Sequence, residues 1–179
     1  MNFARVLQQI ARFLDERGYR FGLAGAFALH GYGISRATAD LDLIVEARAQ
    51  PELLAFLDSL GYERLHVSEG YSNHLHPLET LGRLDFIYVD EQTAERVFGS
   101  AHRVSVFPGL EVPLPSPEHL AAMKILAMKN DPSRVFQEMA DIQALLRLPG
   151  VDRDKVRAQF ERHGLLERFD EIVRAIDRS

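Results

Sequence analysis

The strongest constraint on this chain is one short run, Arg36-Ala-Thr-Ala-Asp40-Leu-Asp42-Leu-Ile-Val45. Two carboxylates stand two residues apart at the head of an apolar stretch. Side chains in a strand alternate faces, so Asp40 and Asp42 share one face while Leu41 and Leu43 enter the other. Two carboxylates a few ångströms apart repel, and that repulsion calls for a counter-cation or a proton. Hard oxygen ligands in this arrangement suit Mg²⁺ or Mn²⁺. The spacing alone leaves open a plainer role for Asp40 as a strand-entry cap.

A third carboxylate, Asp85, falls inside another apolar strand candidate, Arg83 to Val89. Charged residues seldom occupy strands covered on both faces, so Asp85 needs a partner. Arg36 and Arg83 are two candidates. If the two strands are neighbours, the three carboxylates converge. Such a trio can hold two divalent ions roughly 4 Å apart, the arrangement for in-line phosphoryl or nucleotidyl transfer. Upstream, Leu23-Ala24-Gly25-Ala26 reads as a strand entering a glycine turn and a short helix. Such a turn either exposes backbone N–H groups to an anion or merely reverses the chain.

The remaining pattern gives an α/β half followed by a helical half. Apolar spacing predicts a first helix from Phe3 to Leu14 and a strand from Tyr19 to Ala24. A short helix from Phe27 to His30 precedes a polar loop and the strand Asp40 to Val45. A leucine-striped helix begins at Pro51. The middle reads as β-rich, with strands at Glu63 to Val67, His74 to Pro77, Arg83 to Val89, His102 to Phe107 and Leu110 to Pro113. From Ser116, a good N-cap followed by Pro117, everything is helical. The expected division is an α/β core, residues 1–115, and a C-terminal helical region, residues 116–179, packed on it.

In that helical region Lys124 lies midway along a helix that is apolar nearly all round. A buried ammonium needs an anion, either a triphosphate or Glu138 and Asp141. Arg134, Glu138 and Asp141 share one helix face, as a solvated ladder or as an arm of a nucleotide site. His30, His74 and His76 lack the spacing of a zinc site.

Length and composition set outer limits. The 179 residues suit one compact domain with a helical appendage. A net charge of -5 argues against a protein that wraps duplex DNA. The absence of cysteine excludes disulfides and thiolate metal sites. With no apolar secretory core near the start and no membrane-length apolar run, a cytoplasmic protein without membrane contact is expected.

The run GLAGAFALHGYGISRATADLDLIV resembles the N-terminal motif of the DNA polymerase β-like nucleotidyltransferase superfamily. It looks closest to the AbiEii-like toxins and stand-alone bacterial nucleotidyltransferases. The motif is met by Gly25, Arg36, Thr38, Asp40 and Asp42, and Leu84-Asp85-Phe86-Ile87 resembles the third-carboxylate strand. Ser116 to Leu146 is similar to the helices that follow, and the resemblance covers about residues 20–147. It implies a nucleotidyltransferase-type mixed sheet with flanking helices, Mg²⁺ or Mn²⁺, and a nucleoside triphosphate donor. Asp40, Asp42 and Asp85 are then the metal-binding and catalytic residues; Gly25, Ala26, Arg36, Thr38 and Lys124 are the nucleotide-binding ones. The implied acceptor is a tRNA 3′ end, a protein hydroxyl or a small molecule such as an antibiotic, and an antitoxin is an alternative partner. Two positions depart from the pattern. Ala26 replaces a glycine or serine, and Gln137-Glu138 replaces a Lys-Asp pair. Both leave room for a catalytically weakened nucleotide-binding protein.

Overall fold

The computed structural model describes residues 1–178, which form two compact units, Met1–Pro115 and the chain from Ser116 onward. In the first unit, helix α1 (Phe3–Glu16) buries Val6, Leu7, Ile10, Phe13 and Leu14, and the Asn2 side chain caps it by accepting from Arg5 N at 3.2 Å. The strands are β1 (Phe21–Leu23), β2 (Asp40–Glu46), β3 (Glu63–Val67), β4 (Tyr71–Leu75) and β5 (Arg83–Val89). They make one sheet in the order β1-β2-β5-β4-β3. Only β2 and β5 pair in parallel; the other neighbours are antiparallel. A separate hairpin joins β6 (His102–Phe107) to β7 (Leu110–Leu114).

The remaining helices of this unit are α2 (Gly25–Gly31), α3 (Gln50–Ser59) and α4 (Glu91–Gly99). Sequence patterning did not reveal α4. Asp90 caps it, accepting from Thr93 N at 2.7 Å, but only Ala94 and Val97 supply a buried stripe. Strand β4 also starts earlier than expected, at Tyr71 rather than His74. Its inward side chains are Ser72 and His74, both fully buried. Ser72 Oγ lies 2.8 Å from Tyr88 Oη and 2.8 Å from His74 Nε2, so these three atoms pair in the interior, while the buried His74 Nδ1 has no hydrogen-bond partner among the described residues.

The two faces of the sheet differ. Leu41, Leu43, Leu84 and Phe86 are buried together on one face with Ser72 and His74. On the other lie Asp40, Asp42, Arg83, Asp85 and Asn73, none of them buried, beside the exposed side chains of Tyr71, Leu75 and Ile87.

The second unit contains α5 (Pro117–Asn130), α6 (Val135–Leu146), α7 (Arg153–Arg162) and α8 (Leu166–Asp177). Leu120, Ile125, Ile142, Leu145, Val156, Phe160 and Ile172 are buried in it. Among the described residues, no helix is long and apolar enough to cross a membrane.

Candidate active site

Parallel pairing of β2 with β5 does what the strand pattern could only suggest. Asp42 stands directly across from Asp85, and Asp40 directly across from Arg83. Residues opposite one another in a sheet project from the same face. One ligand oxygen from each of Asp40, Asp42 and Asp85 can be chosen so that all lie within 4.8 Å of one another. Arg83, directly across from Asp40, places a guanidinium beside the three carboxylates. Carboxylate oxygens in such a cluster are the donor set that Mg²⁺ and Mn²⁺ take.

Each carboxylate is positioned by a different element. The Thr38 hydroxyl, two residues before the strand, donates to Asp40 Oδ1. Thr38, expected to contact the nucleotide, thus also orients a carboxylate. Asp85 Oδ1 accepts from Asn73 Nδ2 at 2.8 Å, across the β4–β5 pair. The Arg83 Nε lies 3.0 Å from Asp85 Oδ1 and 3.1 Å from Oδ2. That hydrogen bond raises the Arg83 pKa against the opposing effect of desolvation, with further support from the charges of Asp85, Asp40 and Asp42.

Asp42 is fixed by packing against Gly25. A β-carbon on Gly25 would overlap Asp42 Oδ2 and stand 2.6 Å from its Cγ. Gly25 also has φ +55°, in the left-handed region that side chains disfavour. Ala24 N donates to Asp42 O at 3.0 Å, tying the turn to β2. The Ala26 side chain is buried and offers no polar atom. His30 Nε2 sits 2.6 Å from Arg36 O, so the polar loop that carries Arg36 is stapled to the end of α2.

Glu46, at the far end of β2, shows the contrasting case. It is 2% exposed, with Arg20 Nε at 3.0 Å and Arg48 Nη2 at 2.8 Å. Burial pushes its pKa up, but the bonds from Arg48 and Arg20 outweigh burial and hold it below the ordinary range. Glu46 is a balanced structural carboxylate.

Lys124 belongs to the second unit. Its Nζ lies 3.0 Å from Glu138 Oε2 and 2.5 Å from Asp141 Oδ2, and all three residues are buried. Arg134 Nη2 adds a contact at 2.5 Å to Glu138 Oε1. Of the two partners the sequence offered for this ammonium, the carboxylates on α6 take it. On this face Glu138 and Asp141 are buried around Lys124, while Arg134 joins Glu138 from the exposed side.

Asn73 is the residue of this cluster that sequence reasoning missed. It follows a stretch without clear alternation, and only the β4–β5 register brings it opposite Asp85.

No protein-family model matches the chain, and no curated protein matches it in sequence. Several solved structures match it in fold. The solution structure of the antibiotic-resistance factor ANT(2'')-Ia has a TM-score of 0.67 at 17% identity, with 100% of each chain covered. A crystal structure of ANT(2'')-Ia in complex with adenylyl-2''-tobramycin gives 0.66 at 17% identity, over 90% of this chain and 97% of that one. Lincomycin-bound LnuA, a lincosamide antibiotic adenylyltransferase, gives 0.57 at 14% identity, over 80% of this chain and 96% of the other. At these identities the likeness is one of fold, and the chain has the mixed α/β fold of nucleotidyltransferases.

Proposed function

We propose that this protein is a metal-dependent nucleotidyltransferase that moves a nucleoside monophosphate from a nucleoside triphosphate to a hydroxyl of a small molecule. The observation that carries the reading is the convergence of Asp40, Asp42 and Asp85 on one open sheet face within this fold. A divalent ion bound there supplies charge neutralisation for the triphosphate and lowers the pKa of an attacking hydroxyl.

In this reading Asp40 and Asp42 hold the metal and the triphosphate. Asp85 serves the acceptor side, with its carboxylate aimed by Asn73 and Arg83. The acceptor oxygen attacks the α-phosphorus, its proton passes toward the Asp85 carboxylate, and pyrophosphate leaves. Gly25 lets the turn before α2 lie against Asp42, so that backbone and carboxylate meet one ligand. Arg36, in the stapled loop, is the cation assigned to the phosphates.

The choice of a small acceptor is supported by the fold neighbours, whose structures hold an adenylylated tobramycin and lincomycin. The net charge of -5 weighs against a large nucleic-acid contact. A second reading, nucleotide binding without transfer, draws on Ala26, whose buried methyl cannot contact a phosphate.

Incubation of the protein with α-³²P-labelled triphosphates, Mg²⁺ and separate small-molecule, RNA and protein fractions tests the proposal. Label is expected in the small-molecule fraction, dependent on metal and lost in Asp42→Ala. Label confined to RNA or protein refutes the small acceptor. Metal-dependent triphosphate binding with no labelled product in any fraction favours the second reading.

A further inference from the structure

Beyond aiming Asp85, Arg83 carries a charge that the proposed chemistry leaves without a use. It stands directly across from Asp40 and two residues before Asp85 on the same face. Its Nε addresses both oxygens of Asp85, at 3.0 and 3.1 Å. Asn73 donates to Oδ1 alone, at 2.8 Å. A carboxylate offers about four lone-pair positions. Oδ1 therefore has both of its positions met, and Oδ2 keeps one open. The two donors also differ in kind: Asn73 is neutral and orients Asp85, whereas Arg83 is charged and repels any cation approaching the trio. Its side chain is 47% exposed, and half-exposed ion pairs of this sort are weak and readily exchanged.

We infer that Arg83 is the resident counter-cation of the carboxylate trio, competing with a divalent ion for Asp85 and lowering the affinity for the free metal. The inference rests on the metal-dependent reading given above. Its consequence is selectivity for the metal–triphosphate complex. A triphosphate brings negative charge to the site, which compensates the repulsion between the incoming ion and the guanidinium. A free metal ion has no such compensation.

Titration with Mn²⁺ alone, followed by loss of the free-ion electron paramagnetic resonance signal, tests this without reference to catalysis. Arg83→Gln keeps hydrogen-bond donors near Asp85 but removes the charge, and should bind Mn²⁺ about tenfold more tightly than the wild type. Arg83→Lys keeps the charge and should bind like the wild type. Arg83→Met serves as a second neutral variant if Arg83→Gln proves unstable in thermal melts. Equal or weaker Mn²⁺ binding by folded neutral variants overturns the inference, as does tightening in Arg83→Lys equal to that in Arg83→Gln. Should neither the wild type nor the neutral variants bind Mn²⁺ at millimolar concentration, the metal reading itself falls, and this inference with it.

Discussion

Replacing Gly25 by alanine adds one methyl group at the point where the turn before α2 meets Asp42, and its effect can be estimated in two parts. The first is conformational. Gly25 has φ +55°, and holding an L-residue in that region costs about 1–2 kcal/mol. The second is steric. The new carbon would overlap Asp42 Oδ2 and lie 2.6 and 2.9 Å from Asp42 Cγ and Cβ, well inside contact distance. Relief requires Asp42 or the turn to move, and overpacking of this kind costs about 1–3 kcal/mol. Gly25→Ala should therefore lose about 2–5 kcal/mol in urea denaturation. A double-mutant cycle with Asp42→Gly separates the parts, because that variant removes every Asp42 side-chain atom the methyl would meet. In the Asp42→Gly background only the conformational part should remain, giving a coupling of about 1–3 kcal/mol. Mn²⁺ affinity should fall in Gly25→Ala as Asp42 is displaced. If Gly25→Ala costs the same in both backgrounds and leaves Mn²⁺ binding intact, the close approach does not govern Asp42 and the reasoning is refuted.

Three further outcomes are expected. Lys124→Met removes the ammonium that the buried Glu138 and Asp141 share and should destabilise by about 3–5 kcal/mol, most of it recovered when Glu138→Gln and Asp141→Asn are added; chemical denaturation of the single and triple variants checks this. Burial, with repulsion from Arg64 adding, holds the His74 imidazole below its ordinary range despite the nearby Asp58 and Asp85. Between that lowered value and about 6.5 the unfolded chain binds more protons than the native state, so stability is full above about pH 6.5 and declines as pH falls through the native value. His74→Gln should flatten urea midpoints between pH 7 and pH 5. Asp85→Ala should keep much of the triphosphate affinity, measured calorimetrically, while transfer drops about a hundredfold or more; Asp42→Ala should lose both. Equal loss of binding in the two variants would sink the division of labour between these carboxylates.

How much of this was legible in the sequence depends on the range of the interaction. Asp40 and Asp42 announced their common face because alternation within one strand is a local rule. Ser116 and Pro117 likewise marked the start of α5 through capping chemistry that acts over a single turn. The alignment of Asp42 with Asp85 was only conditional, since parallel register is set by everything between Glu46 and Arg83. Strand β4 was misplaced because Ser72 and His74 look like surface residues; their burial depends on Tyr88, on another strand. Helix α4 was missed because two buried residues make too narrow a stripe to stand out from a β-rich stretch. Lys124 was recognised as needing an anion, but the choice of anion required the packing of α5 on α6. Asn73 carried no local signal at all.

The arrangement of Arg83 and Asp85 on one strand also bears on how the chain acquires this patch. Strands β2 and β5 meet only after segment 47–82 has been brought to closure, an entropically slow event compared with forming a local hairpin. The third carboxylate, which would sharpen the mutual repulsion of Asp40 and Asp42, arrives on the same strand as the guanidinium, in a single docking step. Register makes the delivery simultaneous: when Asp85 reaches Asp42, Arg83 reaches Asp40. In that register the third carboxylate does not join the pair without the guanidinium beside it. A one-residue slip of β5 would turn both side chains to the apolar face, so charge balance and correct strand alignment are gained or lost together.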